Sequence, residues 1–308
     1  MINLEYKLEE LNLNILEKKF LEIDKKLDAE KLKNLGLVQE SNGELCPTNG
    51  LLILLDKFEH CRIKSARFKG TNMVEFLDKA EFYGNIFEQL KDAISFIKKH
   101  INYEGKIEDL QRTDRYEIPL VAIREAIINA LVHRDYENYG RDIKLGIYDD
   151  MVNIVSPGGF PLSITEKYLL KGRSEIRNKV LARVFKELDY IEQWGSGVKR
   201  IMASCETYGL KKPDIRETGD SVDVCLYRRT TINEPKVKVE AEKNHDLNGQ
   251  EKQIIDYLFK NWSIKRKDVE RILGVKKSRA YSIIDSLSDK EIIKKVGRSS
   301  ATRYILIK

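Results

Sequence analysis

Glu125 and Asn129 have the residue types and the spacing that chemistry at a phosphate group requires. They belong to the run Arg124 to Asp135, and in a helix a spacing of four residues places them one turn apart on one face. The Asn amide oxygen can then coordinate a magnesium ion that carries a triphosphate, while the Glu carboxylate polarises a water molecule. The competing interpretation is a solvated polar stripe on an amphipathic helix, which shows the same spacing.

Two glycine-rich turns follow this predicted helix. The segments Asp142 to Tyr148 and Met151 to Val155 alternate as the strands of a hairpin, which ends in the loop Ser156 to Pro161. A second turn opens another predicted helix, where backbone N–H groups can face phosphates. Ordinary tight turns are the alternative explanation for the first loop. The glycines are Gly158 and Gly159 in the first turn, and Gly195 and Gly197 in the second.

The order of these motifs resembles the N box, G1 box and G2 box of the GHKL ATPases, the class of gyrase, Hsp90, MutL and the histidine kinases. More closely, residues 30 to 228 are similar to predicted transcriptional regulators of bacteria and archaea that are described as RecG C-terminal-like or ATP-dependent DNA helicase-related. The resemblance is carried by Ile118 to Ala126, Asn129 to Tyr136, Ser156 to Pro161, Lys171 to Ser174, Arg177-Asn178 and Trp194 to Gly197.

This resemblance implies a site for ATP and Mg²⁺, with Glu125 as the general base and Asn129 as the magnesium ligand. It also implies that the four glycines let the base and the phosphates approach the backbone. Three basic residues in the intervening lid-like segment become phosphate partners, against the alternative of a solvated surface. These three residues are Lys171, Arg173 and Arg177.

Ser156 departs from the pattern of the wider ATPase fold, which has an Asp there that reads the adenine amino group. A hydroxyl accepts a hydrogen bond less strongly than a carboxylate does. We therefore expect weak nucleotide affinity and poor discrimination between ATP and GTP. Relatives also usually begin with an AlbA-like domain of the Schlafen type, which we expect to be absent here; only the segment after it, Leu35 to Leu51, has a counterpart.

The triplet His133-Arg134-Asp135 begins like the catalytic loop of a protein kinase, but the rest of the pattern is missing. Position 140 is Gly where a kinase has Asn, and no Asp-Phe-Gly follows. We interpret the triplet as structural, with His133 near the last carbonyls of its helix and Asp135 holding the next loop. The sequence also has no Gly-x-x-x-x-Gly-Lys-Ser/Thr loop and hence no helicase motor motif.

Composition predicts a cytoplasmic protein without membrane contact. The 308 residues are 42% hydrophobic and 34% charged, and no apolar run approaches the length of a membrane span. The four cysteines show no Cys-x-x-Cys spacing, which favours reduced thiols over zinc ligands.

Positive charge is concentrated near the C-terminus. Residues 251–308 carry 15 Lys and Arg against 7 Asp and Glu, a net charge of +8, whereas the remaining residues carry a net −2. Three short helices are predicted in this part, Gln250 to Lys260, Arg266 to Leu273 and Lys277 to Lys290. Two alternating strands follow, Ile292 to Val296 and Arg303 to Ile307. This order resembles a winged helix.

In such a domain the second helix of the helix-turn-helix enters the DNA, so we expect contacts with phosphates and base edges from its first residues and from the wing. A merely solvated basic surface, or a winged helix that binds protein, is the alternative. The predicted DNA-binding residues are Lys276, Lys277, Ser278, Arg279, Tyr281, Arg298 and Arg303.

The sequence thus predicts an α+β protein. Its parts are a helical N-terminal segment (1–110), a GHKL-like ATP-binding domain of mixed sheet and helices (111–229), a linker (230–248) and a winged helix-turn-helix (249–308). The predicted function is a transcriptional regulator that binds double-stranded DNA. The alternatives are an ATPase in DNA metabolism and a protein-interaction module with a degenerate nucleotide fold. Amphipathic helices in Leu8 to Lys33 and Phe82 to Ile101 predict a homodimer.

Overall fold

The computed structural model describes residues 1–58, 62–108, 111–191, 196–229, 247–261, 264–290, 292–296 and 302–306. The chain divides into two compact units, Met1–Arg229 and Thr230–Lys308. Gly195 and Arg298, two of the predicted site residues, lie outside the described residues. No helix in the described part of the chain is long and apolar enough to span a membrane.

A six-stranded mixed sheet forms the centre of the first unit. Its strands are β3 (Ile63–Phe68), β4 (Phe76–Phe82), β7 (Ile143–Ile147), β8 (Met151–Pro157), β9 (Asp214–Thr218) and β10 (Ser221–Tyr227). They are ordered β4-β3-β7-β8-β10-β9, and only β3 and β7 run parallel. The predicted hairpin is therefore confirmed as β7 and β8, which pair through Leu145 and Ile154.

Two short ribbons accompany this sheet. They are β1 (Val38–Ser41) with β2 (Glu44–Pro47), and β5 (Tyr103–Glu108) with β6 (Gln111–Tyr116), both antiparallel. The N-terminal 110 residues thus contain strands as well as helices, and β3 and β4 belong to the same sheet as β7. The expectation of a helical segment over residues 1–110 is incomplete for this reason, since strand pairing between distant segments leaves little trace in local sequence patterns.

Helices pack against the sheet around one apolar core. After a 3₁₀ turn at Leu8–Glu10, the helices of the first unit are α1 (Asn14–Leu21), α2 (Ala29–Asn34), α3 (Asn49–Leu54), α4 (Ile86–His100), α5 (Leu120–His133), α6 (Glu166–Leu170), α7 (Lys179–Glu187) and α8 (Gly197–Thr207). Asn85 fixes the start of α4, because its side chain accepts hydrogen bonds from the N–H groups of Phe87 and Glu88.

The helices that predicted a dimer bury their apolar faces inside the first unit. Leu16 and Phe20 of α1, and Leu90 and Ile97 of α4, belong to the same core cluster as the sheet. Their amphipathic pattern is explained by packing within one chain. It is therefore no argument for an interface between two copies.

The second unit has the predicted elements almost to the residue. They are α9 (Gly249–Asn261), α10 (Arg266–Leu273), α11 (Lys277–Asp289), β11 (Ile293–Val296) and β12 (Arg303–Leu306). Gly274 ends α10 in the left-handed conformation, at φ 63°. The strands β11 and β12 are antiparallel, and Ile264 forms an isolated bridge with Tyr304. Ile254, Val269 and Ile284 lie in the core that these elements share.

Candidate functional site

One face of α5 carries polar residues into a cavity of the first unit. Glu125, Asn129 and His133 follow one another at four-residue intervals, and all three line a cavity of about 190 Å³. That volume is more than ten times the roughly 10–15 Å³ that one water molecule needs. Glu125 is only 2% exposed, so the polar-stripe interpretation fails for this helix face. Most of the apolar residues of α5, from Ala122 to Val132, are buried.

The first turn of α8 lies directly against Glu125 and Asn129. A Cβ atom added to Gly197 would lie 2.8 Å from Glu125 Oε2 and 3.5 Å from Asn129 Nδ2. Only glycine fits such a close approach without displacing the Glu125 side chain. The N–H groups of this turn have no acceptor within the helix, so they are available to a ligand in the cavity. The prediction that a helix starts at Gly197 is confirmed.

Arg200, one turn farther along α8, forms an ion pair with the buried Glu125. Its Nη2 atom lies 3.1 Å from Glu125 Oε1, and Arg124 Nη1 lies 3.6 Å from the same oxygen. A carboxylate so enclosed is stabilised in its charged form by adjacent guanidinium groups. Sequence reasoning missed Arg200, although it lies three residues after Gly197 in the glycine motif.

The glycine loop after β8 is held by close contacts on both sides. Gly158 has φ +99°, and a Cβ there would lie 2.8 Å from Asp135 Cβ. The Asp135 N–H donates to the Pro157 carbonyl at 2.8 Å and so holds this loop, while its carboxylate accepts from the Glu137 N–H at 3.0 Å within the loop after α5, where the prediction placed it. A side chain at Gly159 would collide with Glu217. These contacts explain the glycines structurally, and both residues also line the cavity.

Ser156 is buried and faces α5. Its hydroxyl donates a hydrogen bond of 2.9 Å to the Ala130 carbonyl, and its side chain lines the cavity. The serine therefore ties β8 to α5. Its oxygen keeps lone pairs that can accept one further hydrogen bond.

The three predicted phosphate partners do not come together. Arg177 lines the cavity, but its guanidinium donates to the Gly159 carbonyl at 2.6 Å and so holds the glycine loop. Lys171 and Arg173 are exposed and do not belong to the cavity lining, and the Arg173 guanidinium lies 4.8 Å from the Tyr168 ring centroid. The Lys199 side chain lies over Gly172 instead, at the start of α8.

His133 does not have the role predicted for it. The carbonyls of Val132 and Arg134 accept hydrogen bonds, each of 2.8 Å, from the Asn178 amide. Burial lowers the pKa of His133 to about 4, and the nearby positive charge of Arg177 adds to the effect. Its imidazole is consequently neutral at physiological pH. The sequence signal for His133 is its spacing: it lies four residues after Asn129, which lies four residues after Glu125, so all three share one face of the helix.

A divalent cation at this site would draw few ligands from the protein. Asn129 offers one amide oxygen and Glu125 one carboxylate, and the described residues contain no cluster of three or more His, Cys, Asp or Glu suited to a metal ion. Magnesium commonly keeps several waters and takes its other ligands from substrate phosphates. The cavity therefore fits a cation that arrives with a phosphorylated ligand.

In the second unit, the described candidates for DNA contact other than Arg303 lie at or near the start of α11. Lys276 precedes the helix, and Lys277, Ser278 and Arg279 in its first turn are exposed. Tyr281 is 41% exposed. The Arg279 guanidinium donates to Gln250 Oε1 at 3.0 Å. Arg303 is exposed on β12.

Comparison with known proteins identifies the class of the first unit. Residues 140–226 match the family described as "Putative ATP-dependent DNA helicase recG C-terminal", so this part of the chain contains an ATPase-like domain related to that family. The match begins after α5 and includes β7, β8, α8 and β10. The six-stranded mixed sheet with its helices is consistent with an α+β ATPase-like fold.

A solved structure shares the fold of the chain. The crystal structure of the DIP2311 protein from Corynebacterium diphtheriae is similar with a TM-score of 0.64 at 20% sequence identity, over 100% of this chain and 63% of that one. The chain thus spans under two thirds of the length of that protein. No curated protein sequence matches this chain significantly.

Proposed function

We propose that the first unit binds a nucleotide together with Mg²⁺, and that ATP is the nucleotide its motif order favours. The observation that carries the proposal is the contact of Gly197 with both Glu125 and Asn129 at the cavity. It joins three groups that phosphate binding requires, namely helix N–H donors, a hard oxygen ligand and a carboxylate. The match to an ATPase-like family supports the same conclusion.

Each residue of this cluster has a distinct task in the proposed site. The Asn129 amide oxygen binds the magnesium ion, which neutralises phosphate charge, and the N–H groups at Gly197 bind phosphate oxygens. Glu125 accepts a proton from a water molecule, and Arg200, whose Nη2 atom lies 3.1 Å from Oε1, orients that carboxylate. Hydrolysis requires that Arg200 leave Glu125 an oxygen with which to accept the proton.

For the second unit we propose a winged helix that binds double-stranded DNA. Its order of three helices and a β-hairpin and its net charge of +8 over residues 251–308 support this proposal. The exposed cations at the start of α11 are its phosphate and base contacts. Together the two units make a cytoplasmic, DNA-binding transcriptional regulator whose ATP-binding domain senses nucleotide.

Two other functions have an observation in their favour. The ion-paired, buried Glu125 favours a working ATPase in DNA metabolism, whose turnover DNA would stimulate. The hydroxyl of Ser156, bound to Ala130, favours a protein-interaction module with a degenerate nucleotide fold. The homodimer remains a proposal, resting on the paired half-sites that winged helices read. Light scattering at the 35.8 kDa mass of one chain across a wide concentration range would refute it.

Two substitutions separate nucleotide binding from chemistry. Asn129→Ala removes the proposed magnesium ligand, so calorimetric titration should show Mg-ATP binding lost. Glu125→Gln keeps the shape of the side chain but cannot take a proton, so binding should persist while any hydrolysis stops. Asn138→Ala, outside the cavity lining, is the control for a changed Asn side chain. Mg-ATP binding by Asn129→Ala with wild-type affinity would refute the proposed site.

A further inference from the structure

His133 is a polar residue inside the cavity for which the described part of the protein provides no hydrogen-bond partner. Neither ring nitrogen donates to or accepts from a described residue, and the helix-end carbonyls beside it are occupied by Asn178. The side chain is half-buried in the cavity lining, so water in the open cavity can satisfy its ring nitrogens until a ligand displaces that water. A ligand in the cavity is the partner that its position offers.

The location of His133 distinguishes the two ends of the cavity. At a rise of about 1.5 Å per residue, it lies roughly 6 Å past Asn129 along α5 and roughly 12 Å past Glu125. The Glu125 end adjoins the N-terminus of α8, where phosphates would bind. The His133 end adjoins the glycine loop and Arg177. Because ribose separates the base of a nucleotide from its phosphates, the base belongs at the His133 end.

The remaining walls of the cavity suit a flat, uncharged ring. They include Ile154, Val222, Val224 and Ile201. Apolar walls with a few placed polar groups are the usual form of a small-molecule site, in which the polar groups decide specificity. His133 and Ser156 are polar groups of this kind beside the glycine loop.

We propose that His133 reads the base of a purine nucleotide in the proposed site. This inference rests on the proposed function and adds a residue that recognises the base of the nucleotide. A neutral imidazole has one donor nitrogen and one acceptor nitrogen, and its two tautomers exchange these roles. It can accept from the 6-amino group of adenine or donate to the 6-oxo group of guanine. Similar affinity for ATP and GTP follows from this property, in addition to the loss of a carboxylate at Ser156.

The charge of the groups around His133 keeps it in the form that the proposal needs. The Arg177 guanidinium is a cation beside the imidazole, and the buried surroundings disfavour a second positive charge. The pKa of about 4 leaves His133 neutral throughout the physiological range. The same neutral ring would be unsuited to binding phosphate, which favours the base over the phosphates as its partner.

The test is a set of calorimetric titrations of the full chain with Mg-ATP, Mg-GTP and Mg-tripolyphosphate, which has no base. His133→Ala should weaken ATP and GTP binding about 3- to 10-fold, the value of one hydrogen bond, and leave tripolyphosphate binding unchanged. His133→Asn, which keeps a donor and an acceptor, should restore part of the loss. His100→Ala is the matched control, because His100 lies outside the cavity and binds Asp78.

The outcomes separate this inference from the proposed function. Equal ATP and GTP affinity in His133→Ala and the wild type would overturn the base-reading role alone. An equal loss of tripolyphosphate affinity would also overturn it, since the effect would then be structural. If the wild type bound ATP no more tightly than tripolyphosphate, the site would bind phosphates without recognising the base, and the role of His133 would be overturned. Binding of none of the three ligands by the wild type would remove the proposed function and this inference together.

Discussion

The charged residues of the two proposed binding sites lie in opposite environments. In the first unit, Glu125 is buried, contacts Arg200 and limits the residue at position 197 to glycine. In the second, the cations at the start of α11, such as Lys277, are exposed to solvent. A buried cluster is fixed by packing, so its members depend on one another. Exposed cations act separately and are screened by salt.

This difference in environment predicts which substitutions should alter stability and which should alter only binding. Changing a group in a buried cluster should alter the geometry of its neighbours, and the effects of two changes should not add. Changing an exposed cation should leave stability nearly unaltered and alter only the attraction for an anionic partner.

The largest effect should come from Glu251, a buried carboxylate of the second unit. It is 1% exposed and accepts hydrogen bonds from Ser286 Oγ at 2.6 Å and Lys290 Nζ at 2.9 Å. Glu251→Gln would turn an amide toward the Lys290 ammonium and should lower stability by about 2–3 kcal/mol. Hydrogen exchange of the α9 and α11 amides measures the change. Glu270→Gln, in a half-exposed pair with Arg266, should cost only a few tenths of a kcal/mol, roughly.

Lowering the pH should abolish the stability difference between Glu251→Gln and the wild type. Burial raises the pKa of Glu251, but hydrogen bonds from Ser286 and Lys290 outweigh burial and hold that pKa below its ordinary value of 4.5. A lowered folded-state pKa contributes stability above pH 4.5 that is lost as pH falls through the folded-state value. The stability deficit of Glu251→Gln should therefore shrink in acid. A deficit that grows in acid would contradict the assignment.

The second prediction concerns Gly197. An alanine there would bring a methyl group to 2.8 Å from Glu125 Oε2, so the Glu125 side chain must shift, and the methyl group would fill the space beside Asn129. Overpacking of this kind costs about 1–3 kcal/mol, and we expect Mg-ATP affinity to fall about 10- to 100-fold in a fluorescence titration. Gly140→Ala is the control, because the nearest atom to its added Cβ would be Asn138 Oδ1 at 3.9 Å. Unchanged affinity for Gly197→Ala would show that the ligand binds elsewhere.

The third prediction concerns DNA. Lys277→Ala with Arg279→Ala in the full chain should leave stability unchanged but weaken duplex binding in mobility-shift titrations between about 50 and 200 mM salt. Loss of two phosphate contacts should reduce the slope of log affinity against log salt by about 2. Lys252→Ala with Lys267→Ala removes equal charge from α9 and α10. Equal weakening by both pairs would mean that net charge, and not α11, governs binding.

The second unit was the easier part to predict from sequence. Its helices and strands are short and local, and Gly274 marks the end of α10 by a backbone conformation that glycine favours. The helix with Glu125 and Asn129 and the hairpin after it were also predicted correctly, because apolar periodicity and turn residues specify them locally.

The remaining features depend on contacts between distant residues. Arg200 meets Glu125 across 75 positions of the chain, and Asn178 replaces His133 as the partner of the α5 carbonyls. Neither contact can be recognised from a local sequence pattern. The strands β3 and β4 were missed because their pairing with β7 is settled by the sheet as a whole. The contact of Arg177 with the Gly159 carbonyl, 18 positions away, likewise has no local pattern.

Titration of the wild-type chain with Mg-ATP in a calorimeter measures directly whether the first unit binds a nucleotide. The cavity between Glu125, Asn129 and Gly197 predicts saturable binding with one nucleotide per chain, weak but complete at millimolar concentration, and similar binding of Mg-GTP. Omission of magnesium should weaken it markedly, because Asn129 binds the nucleotide through the metal. Absence of any binding at millimolar Mg-ATP would contradict the claim, leaving the ATPase-like fold as the description of the first unit.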